Sequence, residues 1–377
     1  MKKNLTVFVA AGGTGGHIKP GLSMAWKFYH HIYVKKVVWI GSRGCIDDKL
    51  LVDTPWEKKR LAKIPFRGGG IIRKLFFPYG LGKSLIRTIY YMIKYKPDLV
   101  LTTGGFASLS TGIAACIFGK PLFLLEQNAV AGWSNRLLIR FAERVFTGFD
   151  QVKFLANQKC RNLGNPVEEC LSKGKTRVKG YPKKGEEFII LVLGGSQGAA
   201  YLNNEIPKIL ATLYNTSHKI KVIHQCGGDD HRATQVHTKY RQLGIKAEVF
   251  SFSNDMLNIY TRANIAITRS GALTITELAA YGLPSLYVPL PISVDQHQWY
   301  NALMCQKQGA GWIVEEAEMS ENPKVLTHKI SILMSSQQIY RKMVRASRNS
   351  FREEAAERIE EEVMTYIQSM QDERTVK

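Results

Sequence analysis

Long apolar runs and paired cysteines are both missing from this sequence. No uncharged apolar stretch reaches the length of about 18 residues that a membrane-spanning helix needs, so any membrane contact must be peripheral. The 6 cysteines are scattered, with no CxxC pair and no cluster of histidine and cysteine at metal-ligand spacing. These absences argue against a transmembrane protein, a disulfide scaffold and a zinc module. We interpret the cysteines as buried thiols of a reducing cytosol.

Acidic residues are also scarce. The 377 residues include 31 Asp and Glu against 52 Lys and Arg, which gives a formal net charge of +21. This excess of positive charge favours a polyanionic partner, either a nucleic acid or an anionic membrane surface, and charge alone does not choose between them. The length exceeds that of one ordinary hydrophobic core and favours two domains.

The N-terminal segment is typical of a strand, a glycine loop and a helix. Leu5–Ala10 is apolar and predicts a buried strand, residues 12–17 have the sequence GGTGGH, and residues 22–30 have helical spacing. The apolar run is too short for a signal peptide and ends in glycines rather than a cleavage site. The glycines match neither GxGxxG nor the P-loop pattern, which disfavours a dinucleotide-binding protein and an NTPase. They favour close approach of a ligand to the backbone, with a tight turn as the alternative, and His17 stands at the edge of the loop.

Later stretches of the chain repeat earlier ones. Phe188–Leu193, the glycine loop at residues 194–198 and a helix from about Leu202 repeat the N-terminal pattern. The strand at residues 98–102, the loop at 104–108 and the small-residue helix at 111–116 resemble residues 264–281. This repetition predicts two similar doubly wound α/β domains. We expect them at residues 1–168 and 169–346, with a hinge at 163–166 and a C-terminal segment, 347–377, whose helix braces the first domain.

Residues 264–298 contain the densest set of candidate binding groups. We expect a strand at 264–268 and a helix that starts near Thr274, whose first-turn amides suit a diphosphate without a metal. Glu277, one turn into the helix, suits the hydroxyls of a ribose, but Thr274 and Glu277 also fit a capping box. After a second strand at 286–288, residues 295–298 are expected in a loop at the strand's carboxyl end, where open parallel sheets bind ligands.

Residues 67–87 interleave apolar and cationic side chains. Ile72, Leu75, Phe76 and Phe77 suit the apolar part of a bilayer interface, while the neighbouring lysines and arginines suit lipid phosphates. The alternative is a core helix with a solvated basic face. The net charge favours membrane contact, and we expect a peripheral protein at the cytoplasmic face of the cell membrane.

Five blocks in order resemble the MurG family of peptidoglycan glycosyltransferases, and the resemblance covers nearly the whole chain. The blocks are GGTGGH at 12–17, EQNAVAGWSN at 126–135, LGNPV at 163–167, GGSQGA at 194–199 and RSGALTITELAAYGLP at 269–284. The resemblance implies a GT-B fold, with two Rossmann-like domains that face a central cleft. It implies an acceptor-binding, membrane-associating N-terminal domain and a C-terminal domain for the UDP-sugar donor. The implied reaction is transfer of N-acetylglucosamine from UDP-N-acetylglucosamine to a polyprenyl-pyrophosphate-linked muramyl-pentapeptide, with inversion, no metal and no other cofactor.

The resemblance also implies roles for single residues. His17 is the expected catalytic base, which suits the acid–base chemistry of an imidazole. Glu277 is expected to bind the ribose of the donor and Gln298 its N-acetylglucosamine. The other expected donor contacts are Thr14, Gly15, Gly16, Asn128, Ser196, Ser253, Ala272, Leu273, Thr274, Ile275 and Thr276.

Three positions depart from the family pattern. Glu168 stands where the family often carries an arginine that reaches the donor, His297 precedes Gln298 where the family has a glutamine pair, and Leu125 replaces a histidine before Glu126. The carboxylate of Glu168 does not bind phosphate. Either a cation elsewhere in the chain takes the place of the family's arginine, or the donor binds more weakly.

Three other functions compete with this interpretation. Gly194-x-Ser196-x-Gly198 fits the nucleophile elbow of a serine hydrolase, with Asp255 or Asp295 and His297 as partners. The basic composition fits a nucleic-acid binder, but no nucleic-acid motif accompanies it, and we expect no nucleic-acid partner. A glycosyltransferase that acts on another lipid, such as diacylglycerol, is the alternative within the same fold.

Overall fold

The computed structural model describes residues 4–42, 50–62, 71–155, 158–167, 180–183, 185–195, 198–214, 219–253 and 255–376, with the backbone alone at 71–77, 214 and 374–376. The chain divides into two units. Unit 1 contains residues 1–169 and 354–377, and unit 2 contains residues 170–353.

Unit 1 is built on a parallel sheet whose described strands follow the order β3-β2-β1-β4-β5-β6-β7. Apolar runs form its inner strands, whose side chains are buried on both faces, as in other parallel sheets covered by helices, whereas the edge strands β3 and β7 are polar. The strands are β1 (Leu5–Ala10), β2 (Val34–Ser42), β3 (Glu57–Leu61), β4 (Leu99–Thr102), β5 (Leu122–Glu126), β6 (Arg144–Thr147) and β7 (Cys160–Asn162). Within the described residues before 169, the helices with both ends described are α1 (Gly15–His30), α2 (Ile71–Tyr95), α3 (Gly105–Ile117) and α4 (Trp133–Leu138), with a 3-10 turn at Ile139–Phe141.

Unit 2 repeats this plan with the described strand order β10-β9-β8-β11-β12-β13, again all parallel. Its strands are β8 (Phe188–Leu193), β9 (Ile220–Gln225), β10 (Ala247–Phe250), β11 (Ile265–Thr268), β12 (Ser285–Tyr287) and β13 (Gly311–Ile313). Its helices are α5 (Ala200–Tyr214), α6 (Asp230–Gln242), α7 (Met256–Arg262), α8 (Ala272–Tyr281), α9 (His297–Lys307), α10 (Glu316–Glu321), α11 (Lys324–Ser335) and α12 (Gln337–Ser350), with a 3-10 turn at Val294–Gln296.

The predicted doubly wound α/β class is therefore confirmed in both units. The strand order reverses between β1 and β4 in unit 1, where Ala10 pairs with Thr102, and between β8 and β11 in unit 2, where Leu193 pairs with Thr268. At such a switch point the loops that leave the two strands diverge and open a crevice for a ligand. The repeated sequence patterns lie at these two points.

The C-terminal segment differs from the single helix that we expected within residues 347–377. Helix α12 ends at Ser350, and a separate helix, α13 (Ala355–Val376), follows after Glu354, which has a positive φ of 56°. Residues 347–353 therefore belong to unit 2. Helix α13 belongs to unit 1, where Ile359, Val363 and Ile367 are buried in the same core as Leu5 and Leu101.

Three helices begin earlier than expected, each inside a glycine-containing segment. Helix α1 begins at Gly15 rather than residue 22, α3 at Gly105 rather than residue 111, and α8 at Ala272 rather than Thr274. We expected later starts because glycine and serine have low helix propensity. The first-turn amides have no partner within the helix and are free to face a ligand site. Packing of the backbone against a neighbouring loop then stabilises the turn despite the low propensity of its residues. His17, expected at the edge of a loop, consequently lies in the first turn of a helix.

A buried histidine network connects the sheet and helices of unit 2. His224 on β9 is fully buried, and its ring contacts the Tyr240 hydroxyl at 2.9 Å through Nδ1 and the Asn203 Oδ1 at 3.0 Å through Nε2. Asn203 donates its own amide to the Cys226 carbonyl at 3.0 Å. Burial lowers the pKa of His224 from 6.5 to about 3, because the imidazolium would lose its hydration.

We expect this histidine to make the stability of unit 2 depend on pH. The folded pKa lies below the unfolded value, so its contribution is complete above about pH 6.5 and is lost as the pH falls towards 3. From neutral pH to pH 5 the loss is about 2 kcal/mol. Urea unfolding of wild type and His224→Gln across this range measures it, with His328→Gln, an exposed imidazole of the same unit, as the control. Parallel pH dependences of wild type and His224→Gln would contradict the prediction.

Candidate functional site

The predicted site residues follow the carboxyl ends of parallel strands. In unit 1, the glycine loop follows β1 and Asn128 follows β5. In unit 2, Ser253 follows β10, Ala272 follows β11 and Gln298 follows β12. Within each unit these positions therefore share one edge of the sheet, the edge at which open α/β sheets bind ligands. Ser196 and Glu168 lie outside the described residues.

Two loops meet backbone to backbone at the switch point of unit 1. Gly104 and Gly105 both have positive φ, 106° and 84°, and a Cβ on Gly105 would collide with the Gly12 carbonyl oxygen. A Cβ on Gly104 would come within 2.8 Å of Cε1 of His17. Glycine is required here for both space and conformation. The site therefore includes Gly104 and Gly105, which sequence reasoning placed in a loop without a role.

His17 is held between the β1, β4 and β5 loops. Its amide donates to the Thr14 carbonyl at 3.0 Å, and its carbonyl accepts from the Thr103 hydroxyl at 2.8 Å. Nδ1 of its ring lies 3.1 Å from Oε1 of Gln127, a residue that is 1% exposed. The ring itself is half-buried. An imidazole held from one side and accessible from the other suits proton transfer with a bound substrate.

Thr103 is a site residue that sequence reasoning did not select. Gln127 belongs to the segment 126–128, whose amides we expected within reach of a ligand at the carboxyl end of a strand, but its contact with His17 was not expected. Its position offered a signal, because a polar side chain directly after a buried parallel strand lies at the same edge as the glycine loop after β1. No sequence pattern indicates which polar side chain at that edge turns towards His17.

Glu126 organises the loop that carries Asn128. Its buried carboxylate accepts hydrogen bonds from the amides of Asn128 at 3.0 Å and Gly132 at 2.7 Å, and from Nδ2 of Asn135 at 2.9 Å. A carboxylate that receives several N–H groups is stable in the interior. Asn128 remains half-buried beside it. Leu125, which departs from the family pattern, is fully buried in the core of unit 1.

The alternative of a capping box at Thr274 and Glu277 is wrong. The N-cap of α8 is Gly271, without a side-chain cap, and the first helical hydrogen bond runs from the Ile275 amide to the Gly271 carbonyl at 3.0 Å. The amides that precede Ile275 point out of the helix end, and the first turn contains no acidic residue. Ala272, Leu273, Thr274, Ile275 and Thr276 therefore form an electropositive helix start.

Glu277 lies in the second turn of α8, where the Tyr260 hydroxyl donates to its Oε2 at 2.7 Å. Tyr260 is 2% exposed, so its ring is fixed by the packing around it, whereas Glu277 is half-buried. A carboxylate oriented from behind by a buried phenol is suited to accept further hydroxyl donors in front. Sequence reasoning did not select Tyr260 either.

Residues 295–298 do not form the expected open loop. Asp295 and Gln296 have positive φ in a 3-10 turn, while His297 and Gln298 begin α9. Oε1 of Gln298 accepts from the Leu290 amide at 3.0 Å, and its carbonyl accepts from the Ser270 hydroxyl at 2.7 Å. Gln298 is therefore tied to the segment that precedes α8. Ser253 accepts from the Asp255 amide at 3.1 Å through its hydroxyl.

The geometry around Asp255 and His297 disfavours the serine hydrolase alternative. Asp255 caps α7 by accepting from the Asn258 amide at 3.1 Å. Nδ1 of His297 lies 2.8 Å from the Val294 carbonyl, so it donates to a backbone oxygen. In a catalytic triad that nitrogen donates to a carboxylate.

The predicted membrane-contact residues belong to α2. The backbones of Ile72, Leu75, Phe76 and Phe77 lie in this helix, and their side chains lie outside the described set. In the described part of α2, Leu81, Leu85, Ile89 and Met92 pack into the core of unit 1. The opposite face exposes Tyr79 (71%), Ile86 (71%), Tyr90 (55%) and Ile93 (58%). We call these four residues the exposed stripe of α2.

The part of the chain that the structure describes contains no helix that is both long enough and apolar enough to cross a membrane. Within the same residues, no group of three or more His, Cys, Asp and Glu side chains is arranged to hold a metal ion.

Comparison with known proteins shows the same architecture throughout. A MurG crystal structure from Acinetobacter baumannii matches with a TM-score of 0.78 and 29% identity, covering 96% of this chain and 99% of that one. A crystal structure of a UDP-N-acetylglucosamine 2-epimerase matches with a TM-score of 0.67 at 15% identity, over 97% of both chains. The second likeness shows the fold alone.

The two parallel α/β units have the GT-B fold, and the family models define the chain as a glycosyltransferase. Residues 7–147 match the glycosyltransferase family 28 N-terminal domain, and residues 189–359 match the C-terminal domain of that family. A curated relative from Hahella chejuensis is 36% identical over 361 residues, covering 94% of this chain and 96% of that protein. Another, from Azotobacter vinelandii, is 38% identical over 311 residues, covering 82% and 85%. The chain belongs to glycosyltransferase family 28.

Proposed function

We propose that this protein is an inverting transferase that moves N-acetylglucosamine from UDP-N-acetylglucosamine to the C4 hydroxyl of undecaprenyl-pyrophosphoryl-N-acetylmuramyl-pentapeptide. The observation that carries the proposal is similarity over nearly the whole chain to relatives named UDP-N-acetylglucosamine–N-acetylmuramyl-(pentapeptide) pyrophosphoryl-undecaprenol N-acetylglucosamine transferase. The expected product is the disaccharide-linked lipid of peptidoglycan synthesis.

In this reaction His17 is the proposed base. Its imidazole takes the proton of the acceptor hydroxyl while that oxygen forms a bond to the anomeric carbon of the donor sugar. The bond from the anomeric carbon to the pyrophosphate oxygen breaks, and its electron pair leaves with UDP. Attack from the face opposite the leaving group inverts the anomeric centre. The support in the structure is the half-buried ring, held from one side by Gln127.

Unit 2 is the proposed donor-binding unit. The helix start at Ala272–Thr276 suits the pyrophosphate, because its outward amides and the helix dipole stabilise the charge that grows on departing UDP. Ser196 and Ser253 are proposed to add contacts to the donor, Glu277 to bind the ribose and Gln298 the N-acetylglucosamine. Thr14, Gly15, Gly16 and Asn128 are the proposed donor contacts from unit 1. We propose that fixed amides serve in place of a metal ion.

The test is transfer of labelled N-acetylglucosamine to the lipid-linked muramyl acceptor, with diacylglycerol as the rival acceptor. We expect product from the muramyl lipid alone, at the same rate in the presence of EDTA. Product from diacylglycerol would favour the other lipid glycosyltransferase, and loss of activity in EDTA would contradict the metal-free mechanism.

His17→Ala should lower kcat of this transfer by about a hundredfold to ten-thousandfold, because the acceptor hydroxyl loses its base. Binding of UDP, measured by calorimetry, should stay within about twofold of wild type. His30→Ala, at the other end of α1, is the control and should leave both quantities unchanged. Near-normal turnover of His17→Ala would remove this residue as the base.

Glu277→Gln should raise KM for the UDP-sugar by about tenfold to a hundredfold, because hydrogen bonds to a charged group contribute about 1.5–3 kcal/mol. The glutamine retains an oxygen for the Tyr260 hydroxyl, so thermal stability should change little. Tyr260→Phe is the matched variant that removes the hydrogen bond and keeps the charge. It should raise KM less than Glu277→Gln does. An unchanged KM with a lowered Tm in both variants would assign this pair a structural role alone.

We propose peripheral association of unit 1 with the cytoplasmic face of an anionic membrane through α2. The exposed stripe of α2 alternates with Lys83, Arg87 and Lys94, and the helix contains no acidic residue. Apolar side chains flanked by cations suit a bilayer interface with anionic headgroups. Ile72, Leu75, Phe76 and Phe77 continue the same helix towards its amino end. The reduced thiols of Cys226 and Cys305 suit a cytosolic location.

Cosedimentation with phosphatidylglycerol-containing vesicles tests the membrane contact. The double variant Ile86→Ser/Ile93→Ser should reduce binding by about tenfold or more, because each side chain loses apolar contact with the bilayer. Phe76→Ser/Phe77→Ser should act in the same direction. Ile292→Ser, an 87% exposed isoleucine of unit 2, is the control. Undiminished binding of both double variants would show that α2 does not contact lipid.

A further inference from the structure

The side-chain amide of Gln127 has one allowed orientation. Its Nε2 lies 3.1 Å from the Thr103 carbonyl and 3.4 Å from the Leu125 carbonyl. Both of these oxygens accept hydrogen bonds, so an amide nitrogen must face them, and the reversed amide would set three oxygens against one another. Because Gln127 is buried, such a misfit would not be relieved by water. Oε1 therefore faces His17.

This orientation determines which nitrogen of His17 carries a proton. Oε1 of Gln127 is an acceptor without a hydrogen, so Nδ1 of His17, 3.1 Å away, must be the donor. In a neutral imidazole one nitrogen donates and the other accepts. Nε2 then carries the lone pair, and no described residue makes a hydrogen bond to Nε2. The nitrogen that is able to take a proton is thus the one left for a substrate.

The surroundings of Gln127 hold this arrangement in place. Thr103 accepts from Gln127 with its carbonyl and donates to the His17 carbonyl with its hydroxyl, so one residue anchors both partners. Asn165 donates to the Gln127 carbonyl at 3.2 Å. Gly104 leaves room for the imidazole, since a Cβ there would come within 2.9 Å of Nδ1. The ring therefore has little freedom to turn over and exchange its nitrogens.

We propose that Gln127 is a positioning residue that fixes the Nδ1–H tautomer of His17 and so makes Nε2 the proton acceptor of the reaction. The bond from the acceptor oxygen to its hydrogen breaks as a bond from Nε2 to that hydrogen forms, which leaves an imidazolium whose Nδ1–H still donates to Gln127. The inference rests on the proposed function for this proton transfer only. The tautomer itself is measurable without any substrate.

The first experiment uses the wild-type protein. Selective labelling of histidine with ¹⁵N and long-range ¹H–¹⁵N correlation spectra at about pH 8.5, where imidazoles of ordinary pKa are neutral, report the protonated nitrogen of each ring. The spectrum of His17→Asn identifies the His17 signals. We expect the Nδ1–H pattern. The Nε2–H pattern, or an even mixture of the two, would overturn the proposal whether or not the protein proves to be a transferase.

The second experiment removes the acceptor oxygen. Gln127→Met keeps the size of the side chain, and we expect His17 to lose its single tautomer, kcat to fall about tenfold to a hundredfold and KM for the donor to stay within about twofold. An unchanged tautomer and unchanged kcat in Gln127→Met would overturn the proposal.

A structural control separates positioning from general loss of stability. Asn264 is a fully buried amide at the amino end of β11 in unit 2, where it accepts from the Ile189 amide at 2.7 Å. Asn264→Leu should lower Tm and leave the His17 signals unchanged. If this variant altered the His17 tautomer as much as Gln127→Met did, the effect would follow from destabilisation, and the positioning role would be rejected. Absence of transferase activity with the expected tautomer present would instead reject the proposed function alone.

Discussion

The carbonyl oxygen of Gly12 approaches Gly105 so closely that no side chain fits between them. This backbone contact joins the loops after β1 and β4, the two strands at which the order of the sheet reverses. The start of α1, the start of α3 and the imidazole of His17 are all assembled around it. A bulkier residue at either loop would separate the two helix starts, and His17 would lose the surface of Gly104 against which its ring lies.

Unit 2 also contains a backbone contact between glycine loops, at a different place from the strand-order reversal between β8 and β11. Gly198 and Gly227, both with positive φ, bring the loops after β8 and β9 into backbone contact. The start of α8 presents its amides beside the strand-order reversal, and a carboxylate held by a buried phenol follows one turn later. One unit thus contains a half-buried imidazole and the other a helix start whose first amides point outward. Duplicated architecture with diverged chemistry is consistent with membership of a two-domain glycosyltransferase family.

Much of the fold was predictable because the signals for it are local. Apolar runs such as Phe188–Leu193 and the repeated strand, glycine and helix patterns predicted two doubly wound parallel sheets. The helix starts were predicted less well, because glycine and serine have low helix propensity yet lie in the first turns of α1, α3 and α8. The capping-box alternative was wrong because α8 begins before Thr274, with Gly271 as its N-cap. An earlier start of α8 moved Thr274 into the helix and freed Glu277 to meet Tyr260.

The sequence by itself determined the fold class, the family and the positions of the glycine loops, because each depends on patterns within short segments or on blocks in a fixed order. Only the tertiary structure decided which side chains act on one another. Gln127 lies 110 positions from His17 along the chain, and Tyr260 lies 17 positions from Glu277. No periodic pattern in the sequence indicates that two such residues are in contact. Such pairs arise where parallel strands end at a common edge, and burial then restricts each polar group to the partners within its reach.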